Sequence, residues 1–483
     1  MVDRPGSEGP NGEESESTMR LDKAKHQKSI DQMELPLKRS STQGEAPRAE
    51  RSGEATSAAQ GDARSGLDTP LLLERVVEGG NLQRAWKRVR QNKGSPGVDG
   101  LTVEEFPAYL RQHWSAIREQ LLTGRYQPDA VKRVEIPKPG GGVRLLGIPT
   151  VRDRFIQQAV LQVLQPAIDP TFSESSYGFR PGRSAHQAIG QAQRNVQSGR
   201  SWVVDVDLAQ FFDRVNHDML LGLLAHRIAD PRMLTLIRRY VEAGVLVTGV
   251  VVERHEGTPQ GGPLSPLLAN VLLDVVDKEL ARRGHCFVRY ADDCKVYVQS
   301  KRAAERVMEG LVALYAKLKL EINPAKSAVA LAWERSFLGY SFWVAAGQIV
   351  QRRVAPKALT AMKERVREIT SRNGGRSLVQ VVAELRSYLV GWKAYFRLAD
   401  TPSVFQAFDG WLNRRLRMLI IKQSKRGTTL FRLLRARGIS TRLARAAAAH
   451  YRRWWAMAKH GALHAAFPTQ YFIALGVPRL GLS

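Results

Sequence analysis

Apolar side chains over residues 71–90 fall at helical spacing, with Leu72, Val76, Leu82, Trp86 and Val89 on one face. The run stops at Gly94-Ser95-Pro96-Gly97-Val98-Asp99-Gly100, too dense in Gly and Pro to continue a regular element. Helical spacing resumes over 102–122. The period then shortens: residues 131–136 and 143–146 read as two strands flanking Lys138-Pro139-Gly140-Gly141-Gly142, a tight turn. Residues 152–164 read as helix, and 202–208 alternate like a strand. Residues 287–298 read as a strand pair bent at Ala291-Asp292-Asp293, and 303–320 as helix. Beyond Pro356 almost every stretch is helical with a basic face. The pattern predicts an α+β middle followed by an all-α end, without internal repeats.

Composition changes this picture at both ends. Residues 1–65 are rich in Ser, Gly, Glu and Ala and poor in aromatics. Such a stretch cannot bury enough apolar surface to offset its ordering entropy, so a disordered leader is expected there, with residues 30–37 as a short docking exception. The 483 residues suffice for three or four structural units, and 43% hydrophobic content is ordinary for a globular chain. The charge is not ordinary: 73 Lys and Arg against 46 Asp and Glu give +27 and a pI near 10.4. Residues 351–483 hold about 26 basic and 5 acidic side chains, whereas residues 1–65 are close to neutral. A field of that sign attracts polyanions, nucleic acid first. No run of about 18 apolar residues could span a bilayer and no apolar signal peptide opens the chain, so no membrane partner is expected. Cys286 and Cys294 are too few for a disulfide framework and fit no zinc spacing. The expected location is cytoplasmic.

Two carboxylate clusters carry the candidate chemistry. In Asp205-Val206-Asp207-Leu208-Ala209-Gln210-Phe211-Phe212-Asp213, period-2 alternation sets Asp205 and Asp207 on one strand face. Tyr290-Ala291-Asp292-Asp293 sits at the tip of a hairpin with apolar arms. Adjacent aspartates beside apolar strands raise each other's pKa unless a cation stands between them. A divalent ion removes that penalty, and Mg²⁺ favours a few carboxylates together with phosphate oxygens. Two such ions about 4 Å apart serve phosphoryl transfer.

Tyr290-Ala291-Asp292-Asp293 resembles the reverse-transcriptase signature in the form usual for group II intron proteins. Four further blocks match in order: Asn92-Lys93-Gly94-Ser95-Pro96-Gly97-Val98-Asp99-Gly100, Arg144-Leu145-Leu146-Gly147-Ile148-Pro149-Thr150, Tyr177-Gly178-Phe179-Arg180-Pro181, and Gly257-Thr258-Pro259-Gln260-Gly261-Gly262-Pro263-Leu264-Ser265-Pro266. With Phe337-Leu338-Gly339-Tyr340 they cover about residues 70–345. The resemblance implies a right-hand polymerase, with fingers and palm carrying an antiparallel sheet, followed by an all-α thumb and maturase domain. It divides the chain into a leader (1–65), fingers and palm (66–345), thumb and maturase "X" domain (346–430) and a basic DNA-binding segment (431–483).

The same resemblance assigns roles. Asp207, Asp292 and Asp293 would hold two Mg²⁺ ions (Mn²⁺ as substitute), with the Leu208 carbonyl as a further ligand; Asp205 and Asp213 would be supporting. Phe212 would sit under the incoming sugar and exclude a 2′-hydroxyl. Lys138 and Arg144 would grip the triphosphate of the dNTP, a point charge beside a bidentate fork. Gln260 and Gly261 would border the templating base, and Phe337, Leu338 and Gly339 would form the primer grip, with Lys326 near primer or nucleotide. The partners implied are an RNA template with a DNA primer, target DNA, and the host group II intron RNA, whose splicing and mobility the protein would promote in a bacterial cell.

In the tail, aromatic and basic residues interleave around Trp392 and Trp411. Lys393, Arg397, Arg414, Arg415 and Arg417 are the candidate RNA contacts, since neutralised phosphates release counterions and folded RNA offers bases for stacking. Many relatives end in a zinc-stabilised endonuclease with paired cysteines. No cysteine follows Cys294, so that module and second-strand nicking are not expected.

Overall fold

The computed structural model describes residues 67, 69–137, 143–247, 250–252, 256–258 and 261–481. The expected leader, Lys138 and Gln260 lie outside these residues, and for Arg144 only the backbone is described. The elements begin with α1 (Leu72–Val76), α2 (Gly79–Asn92), α3 (Phe106–Leu122), β1 (Val131–Pro137), β2 (Val143–Ile148), α4 (Val151–Ile168), α5 (Ala185–Gln197) and β3 (Trp202–Val206). They continue with α6 (His217–Ala225), α7 (Pro231–Glu242), β4 (Val245–Val247), β5 (Val250–Val252), α8 (Ser265–Arg282), β6 (Cys286–Tyr290), β7 (Asp293–Val298) and α9 (Lys301–Lys317). Then come β8 (Ala328–Leu331), β9 (Ser336–Phe337), β10 (Tyr340–Val344), β11 (Val350–Val354), α10 (Pro356–Ile369), α11 (Leu378–Tyr395), α12 (Pro402–Gln423), α13 (Gly427–Ala436) and α14 (Thr441–Ala449). Three short helices close the series, α15 (Trp454–Met457), α16 (Gly461–Ala466) and α17 (Thr469–Ala474). None of these helices is long and apolar enough to cross a membrane.

Several elements differ from the pattern reading for local reasons. The single helix expected over 71–90 is two, because the buried Asn81 amide donates to the Val76 carbonyl (3.0 Å) and ends α1 there. The helix expected from residue 102 starts at Phe106, since the Glu105 carboxylate takes the Thr102 N–H and hydroxyl (3.0 and 2.8 Å) and Pro107 fits only a first turn. Strands β4, β5, β8, β9, β10 and β11 were not predicted. Each is short, from 2 to 5 residues, so its period is submerged in its neighbours.

The chain forms two compact units. The first comprises the described residues up to Phe172, with Ala209–Val275 and Ala316–Glu321. Its sheet runs β2-β1-β4-β5, with β1 antiparallel to β2 and parallel to β4. Gly97 lies against the backbone of Thr150, where a Cβ would stand 2.6 Å from the Thr150 Cα, which explains a glycine in the 94–100 segment.

The second unit comprises Ser173–Leu208, Val276–Tyr315 and Ile322–Ser483. It holds an antiparallel sheet β6-β7-β3-β8, a smaller sheet β11-β10-β9 and the helices from α10 onward. One apolar core runs through it, from Val203, Val288 and Tyr297 on the larger sheet, past Phe337 and Tyr340, to Leu385, Leu416, Leu434 and Phe472 in the helices. The basic helices are thus built onto the same core as the carboxylate-bearing sheet.

Candidate active site

Antiparallel register brings the acidic residues together. Asp205 pairs with Lys295 and Val206 with Cys294. The ladder ends at that pair, and Asp207 and Asp293 are the next residues along the two strands. Directly opposed residues share a face, with Cβ atoms about 4.5–5.5 Å apart. Asp205, Asp207, Asp293 and Lys295 therefore line one face, while Val204 and Val206 enter the core. Asp207 is held past the end of β3 by its own backbone. Its N–H donates to Ser327 Oγ (3.0 Å), its carbonyl accepts the Asn323 N–H (2.8 Å), and Leu208 bridges to Ile322.

The turn between β6 and β7 has two residues, not the three expected, because Tyr290 pairs with Asp293. Ala291 takes φ = +58°, the sign a tight hairpin needs to match strand twist, although a Cβ there costs about 1–2 kcal/mol. The surroundings hold that conformation. Arg289 is fully buried and its Nη1 donates to the Ala291 carbonyl (2.9 Å). Its Nε and Nη2 grip the buried Asp277 carboxylate at 2.8 and 2.5 Å, and Nη2 also donates to Ser176 Oγ (2.8 Å). The backbone of 175–177 runs beside β6, with the Tyr177 N–H donating to the Arg289 carbonyl and the Arg289 N–H to the Ser175 carbonyl, both 2.9 Å. Gly178 then lies directly on the turn: a Cβ there would stand 2.1 Å from the Ala291 nitrogen. Replacing Asp277 with alanine leaves an uncompensated buried guanidinium, so chemical denaturation should show a loss of about 3–5 kcal/mol. A loss under about 1 kcal/mol would contradict the clamp.

The electrostatics separate the carboxylates. Asp205 is 7% exposed and doubly neutralised, by an ion pair with Lys295 and by Arg335 Nε at 2.6 Å. Asp293 has Lys295 Nζ at 3.4 Å and Asp207 has Lys326 Nζ at 3.7 Å. Desolvation lifts the Asp293 carboxyl to about 6, against the attraction of Lys295 and with the help of Asp205. A cation binding there must displace that proton, so its affinity rises as pH rises through about 6. Among the described residues, no three His, Cys, Asp or Glu side chains converge tightly enough to hold an ion. Asp207 and Asp293 lean on lysines instead, Lys326 and Lys295 respectively. Their hard oxygen donors, each already facing a cation, fit magnesium or manganese.

Beside this face, β9 and β10 are joined by Leu338 and Gly339, both with positive φ (+50° and +78°), a two-residue turn of the mirror-image kind. The Tyr395 hydroxyl donates to the Leu338 carbonyl (2.9 Å), and Phe337 is buried with its ring 5.6 Å from Lys295 Nζ. The remaining expected contacts belong to the other unit. Phe212 is half-buried, packs edge-on against Phe211 (5.1 Å), and its carbonyl accepts the Thr258 N–H (2.7 Å). Gly261 has φ = +136°, and a Cβ there would stand 2.5 Å from the Gly147 carbonyl oxygen. Arg144 pairs through its backbone with Ile136.

Of the five tail cations, Arg397 is exposed. Lys393 donates to the Arg479 carbonyl (2.7 Å). Arg414 stacks 3.7 Å over Trp455, and Arg415 donates to Thr370 Oγ1 (2.7 Å). Arg417 requires a correction. It is 4% exposed, with Nε on the Phe467 carbonyl (2.9 Å) and Nη1 beside His464 Nε2 (3.0 Å), so it ties helices together and offers no surface to RNA. Helical spacing alone placed it with its basic neighbours.

Sequence reasoning missed Arg289, Asp277, Lys295 and Arg335. The available signal was a basic residue inside each apolar arm, Arg289 after Val288 and Lys295 before Val296. Cys294 is fully buried and its thiol is pushed up to about 12 by desolvation, so the reactive thiolate is absent at working pH. Iodoacetamide at pH 8 should therefore leave Cys294 unmodified in the native protein and label it after denaturation, as mass spectrometry would read.

A family profile described as reverse transcriptase (RNA-dependent DNA polymerase) matches residues 136–342, and one described as group II intron, maturase-specific domain matches residues 359–438. Protein YkfC of Escherichia coli (strain K12) is 38% identical over 218 residues, covering 44% of this chain and 57% of that protein. The group II intron-encoded protein LtrA of Lactococcus lactis subsp. cremoris is 37% identical over 195 residues, covering 40% of this chain and 32% of LtrA. A putative COX1/OXI3 intron 1 protein of Saccharomyces cerevisiae is 30% identical over 200 residues, covering 41% of this chain and 24% of that protein. The matched stretches thus span from about a quarter to just over half of these relatives. A reverse transcriptase domain is thus followed by a group II intron maturase-specific domain, and the chain is similar to group II intron-encoded proteins.

Proposed function

We propose that this protein copies RNA into DNA from a 3′-hydroxyl primer and also binds its host group II intron RNA, promoting splicing and mobility. What supports the reading is the pairing of Val206 with Cys294, which leaves Asp207 and Asp293 as the next residues along the two strands beside the Asp292 turn, inside the stretch matched by the reverse transcriptase profile. Asp207, Asp292 and Asp293, with the Leu208 carbonyl, would hold two magnesium ions. When bound, such ions activate the attacking hydroxyl and stabilise the leaving oxygen. Asp205, already neutralised by Lys295 and Arg335, keeps those cations in place at the floor of the site. Lys138 and Arg144 grip the triphosphate, Gln260 and Gly261 border the templating base, Phe212 excludes the 2′-hydroxyl, and the 337–339 turn positions the primer strand. Residues 66–345 serve as fingers and palm, 346–430 as thumb and maturase domain, and 431–483 as a basic segment for target DNA. Lys393, Arg397, Arg414 and Arg415 face intron RNA. The test is primer extension on an RNA template by wild type and Asp292→Ala, with splicing of the host intron measured on the same pair. Equal DNA synthesis by both proteins would overturn the site.

A further inference from the structure

A concavity lies among the basic helices, about 850 Å³ in volume. Its walls are the 371–377 loop between α10 and α11, the C-terminal end of α12 with Lys425 just beyond it, and the 451–454 segment leading into α15. Arg372, Lys422, Lys425 and Arg452 line it together with Tyr451 and Trp454, and no acidic side chain does. Lys422 Nζ stands 4.3 Å and the Arg372 guanidinium 5.0 Å from the centre of the Trp454 ring. Among the described residues neither cation has a carboxylate partner. The loop wall is fixed: Arg376 is tied to Glu384, Gln423 Nε2 donates to the Arg376 carbonyl (3.1 Å), and Ser377 with Gln380 caps α11.

Four cations gathered in a concave space without a counter-charge repel one another, and a polyanion relieves that repulsion. The two aromatic side chains add what a bare phosphate site lacks, surfaces against which a base can stack. The volume falls in the range of small-ligand sites, room for an extruded nucleotide but not for a duplex. We infer that this pocket takes one unpaired nucleotide of an RNA, its phosphate against Arg372, Lys422 and Lys425 and its base against Trp454 and Tyr451. The inference rests on the proposed binding of intron RNA and names a place for it, two of whose three walls lie inside the stretch matched by the maturase-specific profile. Charge on an open helix face would bind a duplex backbone equally well; a walled pocket with aromatic sides selects an unpaired residue.

Fluorescence anisotropy of the full chain with a short unstructured RNA oligonucleotide tests it. Trp454→Ala should weaken binding roughly tenfold or more through lost stacking. The double variant Arg372→Ala/Lys422→Ala should weaken it comparably and reduce the slope of log K against log salt by about 0.7, one phosphate contact on a single strand. Lys422→Arg should bind as wild type does, and thermal melting by circular dichroism should show every variant folded. Unchanged RNA affinity in both alanine variants overturns the pocket. Equal affinity and equal losses with a DNA oligonucleotide of the same sequence overturn its assignment to RNA. If wild type binds no RNA at all, the proposed maturase role fails; if wild type binds and the variants match it, only the pocket fails.

Discussion

Asp292→Ala should leave the protein folded and lower RNA-templated DNA synthesis on the order of a thousandfold, since in the proposed role its loss takes a ligand from a catalytic ion and several kcal/mol of charge stabilisation with it. Asp292 is a half-exposed turn residue outside the buried core. Because intron RNA contacts are assigned to other residues, splicing of the host intron by Asp292→Ala should remain near wild type. Single-nucleotide incorporation under saturating primer-template is the decisive measurement. A fall below tenfold would remove Asp292 from the reacting centre and leave only nucleic-acid binding.

Gly178→Ala should have nearly as large an effect without touching any carboxylate. An added Cβ would stand 2.1 Å from the Ala291 nitrogen, 2.9 Å from the Tyr290 carbonyl carbon and 3.0 Å from the Ala291 Cα. All three are backbone atoms of the turn that carries Asp292, so the turn or the 175–178 segment must move. Displacement of reacting groups by about 1 Å can cost on the order of 100-fold in rate, and overpacking costs about 1–3 kcal/mol in stability. The expected signature is a fall in kcat with KM for dNTP little changed, beside a modest drop in Tm. Wild-type kcat would show that the segment does not set the position of the turn. The glycine of the Tyr177-Gly178-Phe179-Arg180-Pro181 block thus has a physical reason, because two backbones pass there where no side chain fits.

The elements show where a linear pattern suffices. Alternation and β-branched residues around Val204, Val206, Val288 and Val296 were enough to find the strands that bear the carboxylates, although both faces of those strands are buried. The tail helices were equally legible, from long apolar stripes such as Leu385, Leu389 and Trp392. Arg289 and Asp277 were not. They are twelve residues apart, one on a strand and one on a helix, and nothing local marks a full-length guanidinium for complete burial. Arg417 was misplaced for the converse reason: its helix is basic on several sides, and only the packing of the 464–467 segment against it decides which cation is enclosed.

By itself, the sequence determined the chemistry offered here: two acidic clusters on apolar strands, a strongly basic helical end, and glycines at fixed places. Those are properties of residue type and period, which local backbone geometry transmits directly. Tertiary structure alone decided which strand neighbours which, and so that Asp205 pairs with Lys295, that a buried Arg289 holds the Ala291 carbonyl, and that α10 through α17 share a core with the carboxylate sheet. Such relations depend on contacts between distant segments, whose energies are set by burial and register once the whole unit has folded.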